Sequence, residues 1–388
     1  MRFIFLSLIC LSIFAACEKK EVVNHAIDEV NEIKAVSAVI DPLRIRAEEI
    51  ASSMEDRLLV SQMLISGTDG SGSIPAHMVN LFTENPAGGV MLFRYNLNTA
   101  NDEIRALLSQ TKDLIREKSG IPPFIAVDHE GGTVNRFSGG TAALPDASSY
   151  WDIYQKEGRS EALSKVETDS YKAGSEIAYL GINMNLAPVA EYLNDDNREF
   201  LLYRSYGPDP FFTFQAASSY VQSMAKAGIL CVIKHFPGSA GPDPHFSSSA
   251  INVERKDLDS LIFPFIMLIY HGARAVMVAH TYIPSVDSNI SSLSSAFMQT
   301  LLREEIGFDG IIICDDFSMA AAGNMSQYEA AVQSIAAGAD MILVWPPDLR
   351  KTHAAIMSAL EDGRLPRERI TDAVQRIIYE KLRMGLFE

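Results

Sequence analysis

Five apolar stretches of this 388-residue chain run into side chains that can carry charge or move a proton. FIAV is followed by Asp128-His129-Glu130-Gly131-Gly132, LCVI by Lys234-His235, AVMVA by His280, and GIIIC by Asp315-Asp316. The fifth, INMNLAP (182–188), leads into a loop with Arg204 in YRSYG. Carboxylates and imidazoles are the groups of nucleophilic and acid–base chemistry, and Lys and Arg supply charge-assisted hydrogen bonds. A single polar residue at such a place is readily explained as a helix cap or a satisfied core group. Five together are hard to explain by capping alone.

The elements that must position them are legible as a rhythm. Apolar, β-branched runs occur at 61–67, 88–93, 123–128, 182–188, 229–236, 275–281, 310–316 and 341–347, eight in all. Between them lie segments with helical spacing, including NDEIRALLSQTKDLIREK, ERKDLDSLIFPFIMLIYHG and ITDAVQRIIYEKLRMGLF. In the last, Ile370, Ala373, Val374, Ile377 and Ile378 fall on one stripe. Strands alternating with helices imply a parallel sheet buried on both faces, hence the continuous hydrophobicity. Eight repeats predict an α/β fold, a (β/α)8 TIM barrel forming a single catalytic domain, with an open doubly wound sheet as the alternative. No Gly-x-Gly-x-x-Gly follows the first strand, so a dinucleotide fold has little support. In a TIM barrel, chemistry sits at the C-terminal ends of the strands, where the polar residues gather.

Composition and the N-terminus set the context. With 47% hydrophobic and 21% charged residues the chain can build a large core. Its net charge of −16 repels phosphate backbones, so no nucleic-acid partner is expected. Arg2 precedes FIFLSLICLSIFAA, a run shorter than the ~20 residues of a spanning helix and laid out like a signal peptide. It ends Phe14-Ala15-Ala16-Cys17, which resembles a bacterial lipobox with Phe where Leu is usual. The expected organisation is a lipoprotein signal peptide at 1–16, a lipidated Cys17 with a charged tether to residue 43, and a catalytic domain over 44–388. This places the protein in the cell envelope, anchored to a membrane on its periplasmic or extracellular face. Cys231 and Cys314 lie in apolar runs and read as buried thiols rather than a disulfide.

The stretch LLREEIGFDGIIICD (301–315) closely resembles the active-site signature of glycoside hydrolase family 3, with Cys314 in place of the usual Ser or Thr. VDHEGGTVNRF, INMNLAPVAEY, YRSYG and KHFPG are similar to further blocks of that family in the expected order. The resemblance spans roughly residues 50–388. The chain stops after its last helix, leaving no residues for the second domain that many members carry. Asp243-Pro244-His245 resembles the Asp-x-His dyad of single-domain bacterial β-N-acetylglucosaminidases, although the loop from His235 is shorter than in those relatives.

The resemblance implies a retaining exo-β-N-acetylhexosaminidase acting on terminal N-acetylglucosamine in peptidoglycan fragments or related glycans. In it Asp315 is the nucleophile, His245 the acid/base and Asp243 its orienting partner. Asp128, Arg136, Arg204, Lys234 and His235 are implied to bind the sugar. Glu191 stands where relatives often have Asp, and Glu130 is expected beneath the site as a structural partner. His280 reads equally as a pocket residue and as a buried, satisfied one; Asp316 reads as a local cap. A histidine with its ordinary pKa of ~6.5 is a suitable proton donor once a carboxylate fixes its tautomer. Three other outcomes stay open: a different exo-glycosidase of the family, phosphorolysis, and a catalytically silent sugar-binding lipoprotein. No Cys-x-x-Cys or His-Glu-x-x-His occurs, so neither metal nor organic cofactor is expected, and no obligate protein partner is inferred.

Overall fold

The computed structural model describes residues 41–137, 140–243, 247–319 and 325–388. The expected signal peptide, Cys17, the tether up to residue 40, and His245 lie outside the described residues. The chain divides into two compact units, Met1–Ile45 and Arg46–Glu388, and every element named below belongs to the second.

Eight parallel strands close into a barrel: β1 (Leu64–Gly67), β2 (Gly89–Leu92), β3 (Phe124–Val127), β4 (Met184–Asn185), β5 (Leu230–Phe236), β6 (Ala275–Val278), β7 (Ile311–Cys314) and β8 (Met341–Val344). Each falls within one of the eight apolar runs, and the TIM barrel is the observed fold. Sequence neighbours pair all the way round, and β8 closes on β1 through Leu64↔Ile342, Ile65↔Leu343 and Ser66↔Val344. The strands are buried almost throughout because helices cover their outer face while side chains fill the interior. A separate two-stranded ribbon, Ser249–Ala250 with Thr281–Tyr282, sits in the loops after β5 and β6.

The helices form where spacing and end signals agree. Helix α1 (Asn101–Ser119) buries Ile104, Leu107, Leu108, Thr111 and Ile115 on one stripe. Asp102 and Glu103 lie in its first turn, Arg116 and Lys118 in its last, and Gly120 closes it at φ 73°. The final helix, α3 (Arg367–Arg383), buries all five residues of the expected stripe. The segment 254–272 departs from a continuous helix. It breaks into a turn at Arg255–Asp257, a short helix Leu258–Leu261, and α2 (Phe263–Tyr270). Pro264 explains the break: it fits only the first turn of a helix, so α2 must begin beside it. Cys231 and Cys314 are buried, unpaired thiols. Burial pushes the Cys314 thiol up to about 12, so it is not ionised near neutrality.

At the N-terminal end of the barrel a fully buried carboxylate ties three elements together. Asp340, just before β8, accepts from Arg303 at 2.5 Å, Arg369 at 3.0 Å and Arg376 at 3.2 Å, and from the Ile312 N–H at 2.9 Å. Arg303 belongs to the π-helical segment Ala296–Glu305 and also donates to the carbonyls of Phe308 and Gly310 at 2.9 and 2.6 Å. The Leu-Leu-Arg part of the sequence signature is therefore a latch that fixes the entry to β7. Burial opposes ionisation of Asp340, but the three guanidinium groups hold its carboxyl below the usual range.

Removing that charge would leave three arginines facing one another in a desolvated site. Asp340→Asn is expected to cost about 3–5 kcal/mol, the range for breaking a buried ion pair. It should appear as a lower urea midpoint with an unchanged slope. Because the folded carboxyl is depressed, its contribution is complete above ~4, the unfolded value, and fades as pH falls through the folded one.

Candidate active site

A pocket of about 180 Å³ opens at the C-terminal mouth of the barrel. Its wall is built on strand alternation. Ile65 and Gly67 of β1, Met91 and Phe93 along β2, and Met277 and Ala279 along β6 all line it, while at the end of β8 the consecutive residues Leu343, Val344 and Trp345 do. The pairs on β1, β2 and β6 are each two residues apart, as successive inward positions of a strand are. Asp128, one residue past β3, and Asp315, one past β7, continue the same inward parity and also line the pocket.

The expected binding residues converge on one wall as a chain of alternating charge. Lys234, almost wholly buried, lies 2.6 Å from both Asp128 Oδ1 and Glu130 Oε1. Arg136 donates to Asp128 Oδ2 at 2.8 Å. Arg204 grips Glu130 in a two-pronged pair, Nε to Oε2 and a terminal nitrogen to Oε1, each 2.8 Å. The same guanidinium lies 3.3 Å from His235 Nε2 and over the Phe200 ring at 4.7 Å. His235 Nδ1 meets Glu191 Oε1 at 2.7 Å, and Glu191 Oε2 accepts from the Ser239 N–H and Oγ at 2.7 and 2.6 Å. The Lys234–His235 peptide is cis.

Burial alone would raise all three carboxyls of this chain, yet each is depressed. Lys234 and Arg136 hold Asp128 down, Lys234 and Arg204 hold Glu130 far below the usual range, and His235 with Ser239 holds Glu191 down. Lys234 and Arg204 are raised in return by the carboxylates they touch. Two glycines shape the turn that carries Asp128 and Glu130. Gly131 and Gly132 take φ 104° and 47°, and a Cβ on Gly132 would fall on the Asp146 carboxylate.

The two carboxyls after β7 differ. Asp316 is engaged: it accepts from the Ser318 N–H at 2.9 Å, Ser318 Oγ at 2.6 Å and Trp345 Nε1 at 2.5 Å. Asp315 accepts only from the Asp316 N–H, at 2.9 Å, among the described residues. His280 both lines the pocket and is satisfied, bridging Ser292 Oγ at 2.7 Å and the Asp316 carbonyl at 3.0 Å. Asp243 is half-buried; its carbonyl accepts from the Ser247 N–H and Oγ at 3.2 and 3.1 Å. It is not among the described residues that line the pocket, and His245, two residues on, lies outside the described residues. No group of three or more possible metal ligands occurs among the described residues.

Sequence reasoning missed Trp345, Phe93 and Phe200, all of which line the pocket. A signal for the first two existed: each stands one residue beyond its strand at an inward position, as Asp128 and Asp315 do. Phe200 sits in the loop after β4, where no such parity holds.

The model of the glycosyl hydrolase family 3 N-terminal domain matches residues 28–379. A beta-hexosaminidase of Methylococcus capsulatus is 33% identical over 283 residues, 71% of this chain and 80% of its own length. One from Xylella fastidiosa strain M12 is 30% identical over 344 residues, covering 84% of this chain and 98% of its own. Among solved structures, a glycoside hydrolase family 3 beta-N-acetylglucosaminidase from Paenibacillus superposes with a TM-score of 0.80 at 30% identity. That match covers 86% of this chain but 63% of the other, so this chain spans less than two thirds of that protein.

The paired charges predict an acid-dependent stability. Above ~4, where unfolded carboxyls are ionised, Glu130 contributes fully, and its contribution is lost as pH falls through its depressed folded value. Glu130→Gln should therefore lower the urea midpoint at pH 7 and make stability fall less steeply below pH ~4. An unchanged slope with pH would show that Glu130 is not held as an anion.

Proposed function

The chain belongs to glycosyl hydrolase family 3, and we propose that it is a retaining exo-β-N-acetylhexosaminidase that removes terminal β-linked N-acetylglucosamine from peptidoglycan fragments or related glycans. One juxtaposition carries this reading: Asp315 lines the same small pocket as Asp128, Arg136, Lys234, Arg204 and His235. A single terminal sugar is the substrate unit that suits it, since about 180 Å³ is below the ~300–1,000 Å³ of larger ligand sites. The named activities of the relatives from Methylococcus, Xylella and Paenibacillus support the same class.

In this mechanism the Asp315 carboxylate attacks the anomeric carbon and the bond to the aglycone oxygen breaks. His245 gives its proton to that oxygen; Asp243 orients the imidazole. Water, deprotonated by the now neutral His245, then attacks the anomeric carbon of the glycosyl ester and regenerates Asp315. The charged wall holds the hydroxyls of the sugar, because each ion there is already oriented by an opposite one and needs little reorganisation. Asp316 is not the nucleophile on this reading, because three donors occupy its carboxylate.

The first test is hydrolysis of a panel of aryl β-glycosides with and without phosphate; selective turnover of the N-acetylglucosaminide, unaffected by phosphate, is expected. Asp315→Ala should lower kcat by ~10⁴-fold or more, as removal of a nucleophile does, and Asp316→Ala by less. A fluorinated substrate analogue that labels Asp316 would overturn the assignment.

His245→Ala is expected to lose ~10²–10⁴-fold on substrates with poor leaving groups, which need the proton. Very acidic phenols should be less affected in the first step, and the glycosyl-enzyme should accumulate as a burst. Asp243→Asn should give a weaker form of the same pattern. Equal first-step losses on good and poor leaving groups would mean that His245 only shapes its loop.

Cys17 is proposed as the lipid attachment site. A palmitate analogue should label the wild type and not Cys17→Ser, and the variant should leave the membrane fraction or remain unprocessed.

A further inference from the structure

We infer that Trp345, seated on Phe93 at the mouth of the pocket, is a platform for the sugar on the leaving side of the scissile bond, an inference that rests on the hexosaminidase reading above. The indole is unusually placed for a strand-end tryptophan. It lines the pocket yet remains 40% exposed, although burying so large a ring is ordinarily favourable.

It is also held still. Its ring stacks on Phe93 with centroids 4.8 Å apart and planes 13° apart, and Phe93 stacks in turn against Tyr95 at 5.8 Å and 14°. The indole N–H is bonded to Asp316 at 2.5 Å, which fixes rotation in the ring plane. Beneath the stack lies Gly67, where a Cβ would come within 3.1 Å of Pro346 and 3.2 Å of Phe93. The loop carrying Phe93 is pinned by Asn96, which accepts from the Phe93 N–H at 2.9 Å and donates to the carbonyls of Thr68 and Gly70 at 2.9 Å each. The Tyr95 hydroxyl donates to the Thr68 carbonyl at 3.1 Å. A rigid, solvent-facing aromatic surface binds at low entropic cost because nothing has to be ordered on binding.

The occupant follows from the topology of the pocket. Ions line its interior on the β3 to β5 side, suited to the hydroxyls of the sugar that is cleaved. A barrel pocket opens only at its mouth, so whatever is attached to that sugar must pass the rim. On the β1, β2 and β8 side the rim is this aromatic column. A pyranose presents an apolar C–H face, and a flat aromatic ring at that rim matches it, whereas a charged side chain would not.

The experiment compares two substrates within each variant: β-N-acetylglucosaminyl fluoride, whose leaving group has no ring to stack, and a β-linked disaccharide of N-acetylglucosamine. The quantity read is the ratio of kcat/KM for disaccharide over fluoride, which does not depend on the fraction of enzyme that folds. Trp345→Ala should lower this ratio by about tenfold, the scale of one aromatic contact, while Trp345→Phe keeps it within about twofold. An unchanged ratio in Trp345→Ala overturns the platform. So does an equal fall in Trp345→Phe, which would point to the N–H bond with Asp316 instead. A wild type inert on both substrates would sink the hexosaminidase reading itself.

Discussion

The ammonium of Lys234, shared by Asp128 and Glu130 in a site almost closed to water, is the contact on which the rest of the site hangs. Stripping water from three ions costs several kcal/mol each, and only close opposite charges compensate. Having met Lys234, Asp128 orders Arg136; Glu130 orders Arg204, which reaches His235; and His235 is held by Glu191 and the Ser239 loop. Strands β3 and β5 and the loops after β4 and β5 are thus coupled through side chains at the mouth, although β3 and β5 are not hydrogen-bonded neighbours.

The opposite end of the barrel uses the inverse arrangement, one carboxylate among three guanidinium groups. The two clusters do different work. Asp340 binds the Ile312 N–H at the start of β7, and at the end of that strand Asp315 and Asp316 both line the pocket, Asp316 bonded to Ser318 and Trp345. Breaking a buried ionic cluster of this kind is costly because the ions left behind are desolvated and unpaired.

The eight strands were legible because parallel strands buried on both faces are apolar throughout, and the residues at their ends could be picked out against that background. Helix α3 was legible from its stripe; the 254–272 segment is helical as its spacing suggests, but Pro264 divides it, which the spacing does not show. Within the site, the types and places of the ions could be read, but not who pairs with whom. Nothing in the spacing of Glu130 and Arg204, 74 residues apart, announces a two-pronged pair. Trp345 could not be found from charge: it is an aromatic residue one position beyond its strand, as Asp128 and Asp315 are beyond theirs. His280 could not be decided from sequence because it is both things at once, satisfied and lining the pocket.

The charges at the mouth do not balance. Asp128, Glu130, Glu191, Asp315 and Asp316 are five acids, set against three cations, Lys234, Arg136 and Arg204. The protein around them carries a net −16. The N-acetylglucosaminyl unit is itself uncharged and enters this field without being drawn or repelled. A phosphate dianion would meet repulsion both on approach and inside. The electrostatics of the mouth thus favour an uncharged acceptor over an anionic one.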